Sequence, residues 1–119
     1  MKPIVDASVI LRYLLADNKE QLKQSRKIIQ KGACTTIEII AEVVYVLKGV
    51  YKVPKTEISD CLLEFLSIIE IEEDDLMKES LSLFKMHNLD FVDCILVARN
   101  NLCHQKVYTF DKKLNKLLS

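Results

Sequence analysis

Glycine and proline are scarce, each occurring twice in 119 residues, and tryptophan does not occur at all. A chain so poor in turn formers is neither a collagen-like repeat nor a linker, and with 50% hydrophobic residues it is not a disordered tail. Net charge is missing too: 17 lysines and arginines balance 17 aspartates and glutamates. No overall positive field draws this chain onto a polyanion, so any nucleic-acid contact must be local. Cys34, Cys61, Cys94 and Cys103 form no C-x-x-C pair, and His87 and His104 stand apart, which argues against a zinc finger or a nucleophilic triad. We read all four cysteines as small buried hydrophobes. No apolar run approaches the roughly 20 residues of a membrane span. The start, "MKPIVDAS", places an aspartate where a secretory apolar region would run, so a cytoplasmic protein without a membrane partner is expected. The length suits one domain over residues 1–119.

What is present is an alternation of short β-rich runs and helical patterns. "PIVD" (3–6) reads as a strand and "SVILRYLLA" (8–16) as a helix with Ile10, Leu11, Leu14 and Leu15 on one side. "NKEQLKQSRKIIQKG" (18–32) begins on a capping asparagine, ends on a glycine, and reads as a solvated helix. "ACTT" (33–36) is a second strand, with Thr36 capping a helix that runs to about Leu47. Another helix follows Pro54, then "IIEIE" (68–72) alternates as a strand. Helices over 74–87 and 90–101 precede a last strand "KVYTF" (106–110) and a closing helix "DKKLNKLLS" (111–119). This order predicts an α/β fold, a three-layer α/β/α sandwich around a central parallel sheet of four to five short strands.

Most acids lie in charged or helix-starting stretches, but four keep different company. Asp6 ends the first strand, Glu42 interrupts the apolar run "IIAEVVYVL", Asp93 sits in "FVDCILVA", and Asp111 follows the last strand in "YTFD". In an open parallel sheet, ligand chemistry collects at the carboxyl ends of the strands, where Asp6 and Asp111 would fall and from which the helices bearing Glu42 and Asp93 start. Carboxylates gathered there repel unless a cation joins them, and an all-oxygen set suits Mg²⁺ or Mn²⁺. Each acid also has a local reading. Asp111 is equally an N-cap, Asp6 an Asx-turn acceptor, Glu42 a residue on a wet helix flank shared with Glu38, and Asp93 a capping residue, a place that Asp90 fills better.

The segments "IVDASVILRYLL", "TTIEIIAEVVYVLKGVY", "LDFVDCILVARN" and "VYTFDKKLNKL", in this order and spacing, resemble the PIN domain, and within it the VapC-type toxin ribonucleases of prokaryotic toxin–antitoxin pairs. The resemblance implies a divalent-metal-dependent endoribonuclease that hydrolyses RNA phosphodiester bonds, with Asp6, Glu42 and Asp93 as core metal acids and Asp111 as a fourth. It also places Ser8 and Thr109 beside the pocket, and implies an antitoxin partner protein and a homodimer. Arg12, Lys48, Arg99, Lys112 and Lys113 are the basic residues expected near the acidic edge. A receiver-like phosphoacceptor domain is the alternative from another class; it would carry adjacent acids after the first strand, where "VDAS" has one. A catalytically inactive PIN-like binding module is the third reading.

Overall fold

A computed structural model describes all residues 1–119, and the chain divides into two compact units, Met1–Glu72 and Glu73–Ser119. In the first, α1 (Ala7–Leu15), α2 (Lys19–Gln30), β1 (Cys34–Thr35), α3 (Ile37–Gly49), α4 (Lys55–Phe65) and β2 (Glu70–Ile71) follow one another. Its helix starts are written locally. Asp6, Asn18 and Thr36 each accept the backbone N–H of the residue three positions on, satisfying donors that the first helical turn leaves open. Ala16 closes α1 in the left-handed region, and Gly32, at φ 100°, follows the end of α2 in a conformation that favours glycine.

Ile10, Ile40, Val43, Ile58, Leu62 and Phe65 are among the most deeply buried apolar residues of this unit. The Tyr13 and Phe65 rings meet at 5.6 Å between centroids, tilted by 50°. β1 and β2 pair in parallel, Cys34 opposite Glu70 and Thr35 opposite Ile71, and Ile4 adds one parallel bridge to Cys34.

The second unit holds α5 (Asp74–Met86), α6 (Phe91–Cys103) and the short α7 (Lys112–Asn115). Leu76, Met77, Leu81 and Phe84 of α5 and Phe91, Cys94, Val97 and Ala98 of α6 are buried, with Phe84 and Phe91 edge to face at 5.5 Å. Buried Asn100 holds the tail: its amide nitrogen donates to the Gln105 and Ser119 carbonyls, and its oxygen accepts from Ser119 N–H at 2.9 Å.

Parallel strand pairing with intervening helices is as expected, but the sheet is much smaller than the four to five strands predicted. Two two-residue strands form, and the chain is mostly helical. The predicted strand 3–6 contributes one bridge, and 106–110 contributes no strand. The reason at 106–110 is local competition. The Thr109 carbonyl, which a ladder would use, accepts from the side chain of Asn115 at the end of α7, and the Thr109 hydroxyl accepts from Asp111 N–H at that helix's N-cap.

The cysteines also differ from expectation. Cys94 is buried, but Cys34 and Cys61 are half-buried and Cys103 is exposed, because Cys103 falls on the final residue of α6, beyond its packed turns. No helix is long and apolar enough to cross a membrane.

Candidate functional site

In the first unit the backbone leaves its bridge to Cys34 at Ile4 and enters α1 three residues later, at Ala7, so Asp6 falls at the helix N-cap. Asp6 Oδ1 accepts the Ser8 hydroxyl at 2.6 Å and the Val9 N–H at 3.2 Å. The Ser8 bond, followed by the Val9 bond, holds the Asp6 carboxyl below its ordinary range. Both bonds fall on one oxygen, so Oδ2 takes no part in capping. Asp6 and Ser8 line an open groove of about 560 Å³ together with Ile4, Val9, Ile28 and Lys31. Ser8, read from the resemblance as a pocket residue, therefore acts directly on the acid. Lys31 was not among the basic candidates, although its place four residues after Lys27 is visible in the sequence.

Helical phase resolves the position of Glu42. α3 turns Ile40, Val43, Val44 and Leu47 into the core, and Glu42 stands exposed on the opposite side with Glu38 one turn before it and Tyr45 one turn after. The single carboxylate in the apolar run is thus on the helix's wet stripe.

In the second unit the charges of two carboxylates, Asp90 and Asp111, act on a third, Asp93. Asp90 occupies the N-cap position of α6 without a side-chain capping bond, and Asp93, one turn on, is half-buried. Asp111 caps α7: its Oδ1 accepts Lys113 N–H at 2.9 Å and Leu114 N–H at 3.1 Å, while Thr109 Oγ1 accepts Asp111 N–H at 3.0 Å. Burial, then the charges of Asp90 and Asp111, push the Asp93 carboxyl above its ordinary range. Asp93 and Asp111 are thereby brought within electrostatic reach, and Asp90, expected only as a cap, joins them.

These groups fit a hard divalent cation by donor chemistry. The set is all carboxylate, and Asp93 is raised by burial and by the like charges of Asp90 and Asp111, both of which a bound cation would offset. No group of three or more potential ligands is preassembled as a cage. Mg²⁺ does not require one, since it keeps several waters and is commonly held by one or two carboxylates plus substrate phosphate.

Several basic candidates are already engaged. Arg12 contacts both oxygens of Asp17 at 2.9 Å and the Tyr51 hydroxyl at 3.1 Å, Arg99 pairs with Glu73 at 3.1 Å, and Lys113 donates to the Asn88 carbonyl. Lys48 and Lys112 are exposed.

Among models of known families, that of the PIN domain matches residues 4–117. No curated protein and no solved structure matches the chain.

Proposed function

The chain belongs to the PIN domain family, whose members are generally nucleases, and from that premise we propose that it is an endoribonuclease using Mg²⁺ or Mn²⁺ to hydrolyse RNA phosphodiester bonds. The observation that carries this reading is Asp93, half-buried, with its carboxyl raised by burial and by Asp90 and Asp111. An acid in that state gains from a bound cation, and a half-buried carboxylate perturbed by neighbouring acids is a candidate for a functional site. Asp93 and Asp111 are the proposed metal acids of the second unit. Asp6 and Glu42 are the remaining acids that the resemblance assigns to the chemistry.

A bound divalent cation supplies an activated water and neutralises charge on the scissile phosphate. The protein's own share is positioning. Ser8 and the Val9 N–H hold Asp6 ionised and oriented, and the Lys113 and Leu114 N–H groups orient the Asp111 carboxyl. Second-partner bonds of this type orient acidic ligands. No protein nucleophile is invoked.

The finer biological reading, also a proposal, is the toxin of a toxin–antitoxin pair acting as a homodimer. The partner part of it is supported by a groove of about 320 Å³ in the first unit, where Tyr13, Leu14, Leu22 and Phe65 stand beside Arg26 and Glu64, which offers an amphipathic antitoxin segment a place to lie. The deciding experiment is RNA cleavage by purified wild type and Asp93→Asn, with and without divalent cation. Metal-dependent cleavage by wild type that disappears in Asp93→Asn is expected. Equal cleavage by both proteins would remove the assignment.

A further inference from the structure

The chain as a whole is neutral, yet α2 is not. Its residues Lys19, Lys23, Arg26 and Lys27 face a single acid, Glu20, and Lys31 follows at the C-cap. Lys19, Lys23, Lys27 and Lys31 recur every four residues, a spacing that lays side chains along one inclined ridge of a helix. At 1.5 Å per residue the ridge is about 18 Å long, with neighbouring cations about 6 Å apart along the axis. All four lysines are exposed, and no carboxylate pairs with any of them. An open groove of about 450 Å³ runs along this face, lined by Lys19, Lys23, Arg26 and Lys27 with Leu22 and Gln30.

The ridge ends at a meaningful place. Lys31 and Ile28 line the same groove as Asp6 and Ser8. A third, smaller groove, between α1 and α2, shares Ser8, Val9 and Ile28 with it. Within the first unit the cationic edge of α2 therefore runs into the recess that holds Asp6.

We propose that this lysine ridge is the anchoring surface for the phosphate backbone of a single-stranded RNA, which it leads toward the Asp6 groove. The proposal rests on the nuclease reading for the identity of the polyanion. Unpaired lysines at regular spacing bind phosphate without reading sequence, so the ridge supplies affinity and direction, leaving the choice of cleavage site to other residues. It also gives a neutral protein the local positive field that its overall charge denies it.

The test is fluorescence anisotropy of a labelled single-stranded RNA, in chelator so that no metal-dependent cleavage intervenes, over a range of salt. Wild type is compared with Lys23→Gln/Lys27→Gln and with a control of equal charge loss, Lys52→Gln/Lys116→Gln. Each phosphate contact removed lowers the slope of log affinity against log salt by about 0.7 for a single strand. The ridge variant should therefore lose about 1.4 in slope, a roughly sevenfold smaller fall in affinity between about 50 and 200 mM salt, while the control keeps the wild-type slope. An unchanged slope in the ridge variant, or an equal change in the control, overturns the proposal. Cleavage of a dinucleotide with divalent cation, measured alongside, separates this from the nuclease reading. Ridge-dependent binding with no hydrolysis sinks the nuclease and keeps the ridge. Hydrolysis with ridge-independent binding does the reverse.

Discussion

Ser8 Oγ donates a 2.6 Å hydrogen bond to Asp6 Oδ1, inside the first turn of the helix that Asp6 caps. The same carboxylate thus starts a helix and stands ionised at the edge of a groove. Stability and chemistry can be separated at this position, because asparagine caps as well as aspartate but carries no charge.

Asp6→Asn should keep the wild-type melting temperature, and Asp6→Ala should lose about 0.5–2 kcal/mol through the missing cap. RNA cleavage should vanish in both. Thermal melts and a gel cleavage assay on the pair check this, and full activity in Asp6→Asn would return the residue to a purely structural role.

Asp93 and Asp6 are displaced in opposite directions, so their pH effects have opposite signs. The folded value of Asp93 lies above its ordinary 3.8, so the folded chain holds that proton longer than the unfolded chain does. Its contribution is intact below the ordinary value and is lost as pH rises through the raised one. Asp93→Asn should therefore melt higher than wild type at neutral pH, with the gap closing as pH falls below about 4, the ordinary range of an aspartate. Asp6, held low by Ser8 and Val9, contributes above its ordinary 3.8 and loses that contribution as pH falls through its lowered value. Ser8→Ala should move this acid limb to higher pH. Melting curves across acidic to neutral pH read both effects.

Divalent cation should stabilise wild type through the same acids. At about 100 times its dissociation constant, a ligand that binds only the folded chain adds about 2.7 kcal/mol. Melts with Mn²⁺ should show an upward shift in wild type and a much smaller one in Asp93→Asn/Asp111→Asn. An equal shift in both proteins would place the cation elsewhere.

Glu42 and Glu38 lie one turn apart on the exposed stripe of α3, so neither is needed for packing. Substitution of Glu42 by glutamine should change stability by no more than about 0.5 kcal/mol. Only Glu42→Gln should abolish cleavage. Loss of cleavage in Glu38→Gln with activity retained in Glu42→Gln would move the metal acid by one turn.

Asn100 is 4% exposed and joins α6 to the tail through Gln105 and Ser119. Asn100→Ala leaves those backbone groups without their partner and should cost about 1–3 kcal/mol. Asn100→Asp should cost more at neutral pH, because a carboxylate would face the Gln105 and Ser119 carbonyls that the amide nitrogen now serves at 3.1 and 3.3 Å. Urea denaturation measures both.

The features readable from the chain alone are those set within one or two helical turns. Asp6, Asn18, Thr36 and Asp111 cap the helices they precede, because a capping side chain reaches only three residues forward. The wet side of α3 follows likewise from its helical period, and the four-residue lysine spacing of α2 stands in the sequence itself. Contacts between distant segments were not legible. At 106–110 no strand forms, and the Thr109 carbonyl goes to the Asn115 side chain instead of a ladder. The Asp93 carboxyl is raised because burial strips its water and because Asp90 and Asp111 stand near it. Lys31 joined Asp6 because α2 packs back along α1 and brings their ends to one groove. Local hydrogen bonding is decided by neighbours in the chain, whereas burial and charge are decided by whichever segments packing brings together, and only the tertiary structure makes that choice.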